Sequence, residues 1–95
     1  MPSFTLQAQE IPFDDPQSCY RFDPVAKPFV ATKGAVDAFG MSPLIRCLMQ
    51  LQKLAEQHDG LDHLQVFEDL KTGAKLWFIE DGDGGAITAL LPEEY

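Results

Sequence analysis

Polar and apolar positions change their period several times along this chain, and each change marks an element. Phe4, Leu6 and Ala8 alternate with Thr5, Gln7 and Gln9, the period-two pattern of a half-buried strand. A turn cluster, Ile11-Pro-Phe-Asp-Asp-Pro16, follows, and Cys19–Phe22 and Phe29–Thr32 read as short extended pieces. Five of the seven prolines (Pro2, Pro12, Pro16, Pro24, Pro28) fall in the first 28 residues. Each ring removes a donor and restricts the residue before it, so no long helix forms there.

The period then becomes helical. Leu44, Leu48, Leu51 and Ala55 recur at i, i+4, i+7 and i+11, broadened by Ile45, Met49 and Leu54. Gln50, Gln52, Lys53, Glu56 and Gln57 take the opposite face. Ser42 is the expected N-cap, Pro43 the first helical residue and Gly60 the left-handed stop. This predicts a helix over Pro43–His58, ~24 Å long. Beyond it, Leu64–Glu68, Ala74–Ile79 and Ala86–Leu90 are β-branched and aromatic runs separated by the short loops 69–73 and 81–85. Such short connections join antiparallel neighbours. In the middle run Leu76 and Phe78 point one way, and Lys75, Trp77 and Ile79 the other. Both faces of that strand carry apolar residues, so the second face calls for a cover from N-terminal strands or from a partner subunit.

The predicted fold is one α+β domain: an amphipathic helix on an antiparallel sheet made of a three-stranded meander plus N-terminal extended strands. Residues 1–41 are the Pro-rich extended segment, 42–60 the helix and 61–95 the meander. Ninety-five residues leave room for one core, and 45% hydrophobic with 23% charged residues is globular composition. The N-terminus lacks a basic, apolar leader, and no run reaches the ~18 apolar residues of a membrane span. Two cysteines, Cys19 and Cys47, form no disulfide framework and read as reduced thiols of a cytoplasmic protein.

Charge changes the picture of partners. Residues 1–55 hold five acids and five bases, whereas residues 56–95 hold ten acids against Lys71 and Lys75, so the whole net charge of −8 lies in the second segment. That half repels phosphate backbones and disfavours direct nucleic-acid binding. Spread evenly, it is also about threefold too dilute to imitate a DNA duplex. A basic protein is the partner it suits. The binding candidates are Asp59, Asp62, Glu68, Asp69, Glu80, Asp81 and Asp83, with Trp77 and Ile79 as interface candidates.

Catalytic chemistry finds little footing. The loop Asp81-Gly-Asp-Gly-Gly85 has Gly85 and Pro92 where a calcium loop needs its fifth-position oxygen and twelfth-position glutamate, and it lacks the lysine of a phosphate cradle. His58-Asp-Gly-Leu-Asp-His63 is the densest ligand-type cluster. Two imidazoles and two carboxylates suit a divalent metal, but the same residues suit a helix end and a turn. No Gly-x-Ser-x-Gly elbow or Cys–His pair occurs, so no catalytic residue and no cofactor are assigned.

Thr32-Lys-Gly34, the amphipathic helix and Leu61-Asp-His-Leu-Gln-Val-Phe-Glu68 running into a hairpin carry one resemblance. Over residues 29–81 the chain resembles a small uncharacterised family of short proteins from Gram-positive bacteria and their mobile elements. That likeness implies a single helix over a meander sheet and a mobile-element setting, with no activity or site attached. The function expected is therefore a small acidic, non-catalytic interaction protein antagonising a basic nucleic-acid-binding or defence protein. The alternatives are a homodimer of structural or regulatory role and, more weakly, a metal site at His58 and His63.

Overall fold

The computed structural model describes residues 4–6, 20–82 and 84–95. Strands β1 (Phe4–Leu6) and β2 (Phe29–Ala31) precede helices α1 (Lys33–Phe39) and α2 (Met41–His58). Strands β3 (Leu64–Asp69), β4 (Lys75–Glu80) and β5 (Ile87–Leu90) follow, then a 3-10 turn at Pro92–Glu94. One five-stranded sheet runs in the order β1-β3-β4-β5-β2. The fold is α+β, and β3-β4-β5 form the antiparallel meander that the short loops imply. Residues 7–9 of the first alternating run, the turn cluster and Cys19 lie outside the described residues.

Three details depart from the sequence reading. The sheet is mixed: β1 joins antiparallel to β3 at one edge, and β2 joins parallel to β5 at the other. A parallel pair needs a long crossover, and the stretch between β2 and β5 supplies it. Second, the described residues form two α-helices rather than one. The segment 33–39, read as extended, forms α1, because Thr32 Oγ1 accepts from the amide of Ala35 and caps its start. Third, α2 begins at Met41, two residues before Pro43, and Ser42 is not its cap. Gly40 sits between the helices at φ +84°, ψ 154° and donates its amide to Val36 O. A left-handed φ of this kind strongly favours glycine. At the far end Asp59, not Gly60, takes the left-handed cap conformation (φ 57°, ψ 39°). Asp tolerates that region better than most non-glycine residues.

Both helices lie on one face of the sheet. Leu44, Leu51, Leu76, Phe67, Phe78 and Ile87 are completely buried between the layers. Each such side chain contributes roughly 1.5–3 kcal/mol by leaving water. Phenylalanines tie the sheet together from edge to edge: Phe39 on Phe4 (5.0 Å), Phe4 on Phe67 (6.1 Å), Phe67 on Phe78 (5.5 Å) and Phe78 on Phe29 (6.1 Å). Three of the contacts are edge-to-face and the last is stacked. Such pairs add about 0.5–1.5 kcal/mol each beyond burial. The two three-residue edge strands are pinned by this chain of rings rather than by their few backbone bonds.

Candidate functional site: the sheet face opposite the helices and its charged end

Side chains alternate across a sheet, so the register sorts the residues into two faces. Phe67, Leu76, Phe78, Ile87 and Ala89 point to the helices and belong to the core. The intervening residues point away, in three rows. Leu64, Ile79, Thr88 and Val30 are register neighbours, as are Val66, Trp77 and Leu90, and finally Thr5, Glu68 and Lys75. Two rows are almost wholly apolar; the third holds one acid and one base. Helices α1 and α2 lie on the opposite face. The C-terminal 3-10 turn contacts β4 and sets the Tyr95 ring 5.7 Å from that of Trp77. Trp77 and Ile79 thus stand where the alternation in β4 places them. Leu64, Val66 and Leu90 complete the patch. They are legible in the same way, once the neighbouring strands are read in register with β4.

A groove of about 370 Å³ opens at one end of this face. Ile79, Thr88 and Leu90 form its floor, and Tyr20, His63 and Tyr95 rise around it. Tyr20 reaches the sheet through a two-way backbone bridge to Leu61. Behind the groove lies an ion pair. Glu80 is only 7% exposed, and its carboxylate accepts from the Phe22 amide (2.7 Å) and Lys27 Nζ (2.8 Å). Lys27 Nζ also donates to Asp81 O at 2.6 Å and stands 5.5 Å from the centre of the Tyr20 ring. The turn that presents Lys27 is organised by Asp23, whose backbone oxygen accepts from the amides of Ala26 and Lys27. Phe22 adopts φ +53°, costly for a residue with a large side chain. Its buried ring and the Glu80 bond to its amide hold it there. Removing one partner of a buried pair leaves the other charge uncompensated, so this cluster fixes the 20–28 segment to the sheet. Neither Lys27 nor Tyr20 carried a motif in the sequence.

Six of the seven candidate acids divide between the two ends of the sheet. Asp59, Asp62, Glu80 and Asp81 belong to the end where β3 starts and β4 finishes; Glu68 and Asp69 belong to the hairpin end, beside Lys71 and Lys75. Asp83 lies outside the described residues. Several are committed internally. Asp59 pairs with Arg21, which also donates to Ala55 O at 3.3 Å. Asp62, 8% exposed, accepts from the His63 amide (2.9 Å) and sits 3.1 Å from His63 Nδ1. Asp69, 5% exposed, accepts from the Lys71 amide (3.0 Å) and Thr72 Oγ1 (3.1 Å), which shapes the β3–β4 hairpin. Asp81 and, in part, Glu68 face solvent. Bases from the first half of the chain, Arg21 and Lys27, therefore sit on two of the acids that give the second half its charge.

Among the described residues, no three His, Cys, Asp or Glu side chains converge as a metal site would require. His63 meets Asp62, and His58 stands at the end of α2. Cys47 is buried in the core, and burial pushes its thiol up to about 12, so it stays protonated at neutral pH. At the C-terminus Glu94 accepts from Thr32 Oγ1 (2.5 Å) and from the Leu91 amide (2.8 Å). Those bonds hold its carboxyl below the ordinary value of 4.5. Gly34 makes the approach possible: a Cβ there would stand 2.6 Å from Glu94 Oε2.

No helix among the described residues is long and apolar enough to cross a membrane. No protein-family model, curated protein or solved structure matches the chain.

Proposed function

We propose that this chain is a non-catalytic protein-interaction domain whose working surface is the sheet face around Trp77, opposite α1 and α2. The observation that carries the reading is the asymmetry of the sheet. Helices α1 and α2 close one face, while on the other Leu64, Val66, Trp77 and Ile79 are half-buried register neighbours, with Leu90 buried beside them. A contiguous apolar patch with a tryptophan at its centre and polar residues at its rim has the composition of an interface core. The non-catalytic part of the reading is supported by Cys47, whose thiol is buried in the core and stays protonated.

A basic partner, such as a nucleic-acid-binding or defence protein met in a mobile-element setting, is the second reading. It draws on Asp81 and the carboxylates at the same end of the sheet. Support for it is weaker, because Arg21 and Lys27 pair with Asp59 and Glu80 and Asp62 turns inward.

Photo-cross-linking in cells of the source organism separates the readings. A photoreactive residue at Ile79 should capture a protein, and Trp77→Lys should abolish the capture without unfolding the domain. Equal capture from Glu56, on the exposed face of α2, would contradict the reading. Capture confined to a probe at Asp81, and lost in moderate salt, would favour the basic partner.

A further inference from the structure

We propose that the sheet face opposite α1 and α2 closes against a second copy of this chain, about a two-fold axis running parallel to the strands between β3 and β4. This inference rests on the interaction reading and names its partner. The register carries it. A half-turn about that axis exchanges β3 with β4 and keeps every row at its own height. Leu64 then lies over the partner's Ile79, Val66 over the partner's Trp77 and Glu68 over the partner's Lys75. Apolar rows meet apolar rows, and the charged row meets its own opposite, twice by symmetry. That self-complementarity is what a two-fold interface demands of a single patch. A partner carrying one sign of charge at this row would set either Glu68 or Lys75 against like charge.

The geometry agrees with known sheet packing, in which facing sheets lie ~10 Å apart with strand directions within about 30°. Size sets the strength. Three strands ~4.8 Å apart and six residues long make a patch of roughly 14 by 20 Å. Even with its rim, that falls short of the ~800 Å² per partner of a standard interface. The dimer should therefore be weak, with dissociation in the micromolar range or above. The other exposed apolar stripe, Met41, Ile45 and Met49 on α2, lacks such internal complementarity.

Sedimentation of the full chain from about 10 μM to 1 mM tests the proposal, alongside thermal unfolding of each variant to verify its fold. The wild type should pass from monomer to dimer over that range, and Trp77→Lys should remain monomeric. Glu68→Lys and Lys75→Glu should each weaken association at least about tenfold, since each sets like charges together twice. Mixed in equal amounts, these two variants should associate again as a heterodimer, because the reversed positions then face opposite charge. Restored association on mixing cannot arise from a folding defect in either variant. A wild type still monomeric at about 1 mM would overturn the dimer, as would association that survives Trp77→Lys, or two variants that stay apart when mixed. Cross-linking from Ile79 to a different protein would also overturn it while leaving the interaction reading in place. Loss of all Trp77-dependent capture would remove both.

Discussion

The two faces of the β-sheet are built from the same strands, residue by residue in alternation, yet they do different work. On the helix side Phe67, Leu76, Phe78 and Ile87 are completely buried and held by α1 and α2. On the other side Val66, Trp77 and Ile79 are just as apolar, yet they stay half-buried, outside the layer that α1 and α2 cover. Hydrophobic character alone therefore does not distinguish core from surface in this molecule; the covering layer does. Substitutions on the two faces should consequently separate stability from association.

The largest difference is expected between Phe78→Ala and Trp77→Lys. Phe78→Ala leaves a cavity under the helices and should cost ~3–5 kcal/mol in urea denaturation. Trp77→Lys should cost the monomer less, about 1 kcal/mol, because Trp77 is half-buried at the sheet surface rather than sealed under the helices. Similar losses for both would show that the second face is structural. Lys27→Met comes next. It strands the buried Glu80 carboxylate beside the Phe22 amide and should cost about 3 kcal/mol, while self-association of the folded fraction stays unchanged. A variant that is fully stable but unable to associate would move the charged cluster from scaffold to interface.

Cys47 reports on the covered side by chemistry rather than by stability. With its thiol pushed up to about 12 from an ordinary 9.0, alkylation at pH 8 should run about a thousandfold slower than for a free thiol. Rapid labelling in native buffer would mean that the helix layer opens readily. The smallest effect should be at Glu94. Its carboxyl is held below 4.5 when folded, so the contribution of its bonds to Thr32 and Leu91 is present above pH 4.5. That contribution is lost as the pH falls through the lower folded value. Amide shifts of Leu91 followed by NMR should show the release in acid, and Glu94→Gln should remove the transition. A transition at or above 4.5 would contradict the clamp.

Much of this division was legible in the chain. The alternation in Lys75-Leu-Trp-Phe-Ile79 separates Leu76 and Phe78 from Trp77 and Ile79, and the short loops imply the meander. The α1 helix was hidden because Gly34 weakens local helix propensity. What compensates, the Thr32 cap at its start and Gly40 at its end, has no periodic signature over seven residues. The parallel pairing of β2 with β5 depends on where the crossover returns, which periodicity does not encode. Charge was the least legible feature. The tally of acids in residues 56–95 says nothing of Arg21 reaching Asp59 or Lys27 reaching Glu80, contacts between residues 38 and 53 positions apart.

One measurement addresses the central claim most directly. Trp77 is the sole tryptophan of the chain, so its fluorescence reports on the centre of the open face and nothing else. Acrylamide quenching should be strong in dilute protein and weaken as the concentration rises through the micromolar range, with a parallel blue shift of the emission. Quenching that is identical at every concentration would contradict the account: uniformly strong, it would show a face that nothing docks on; uniformly weak, a face already covered within one chain.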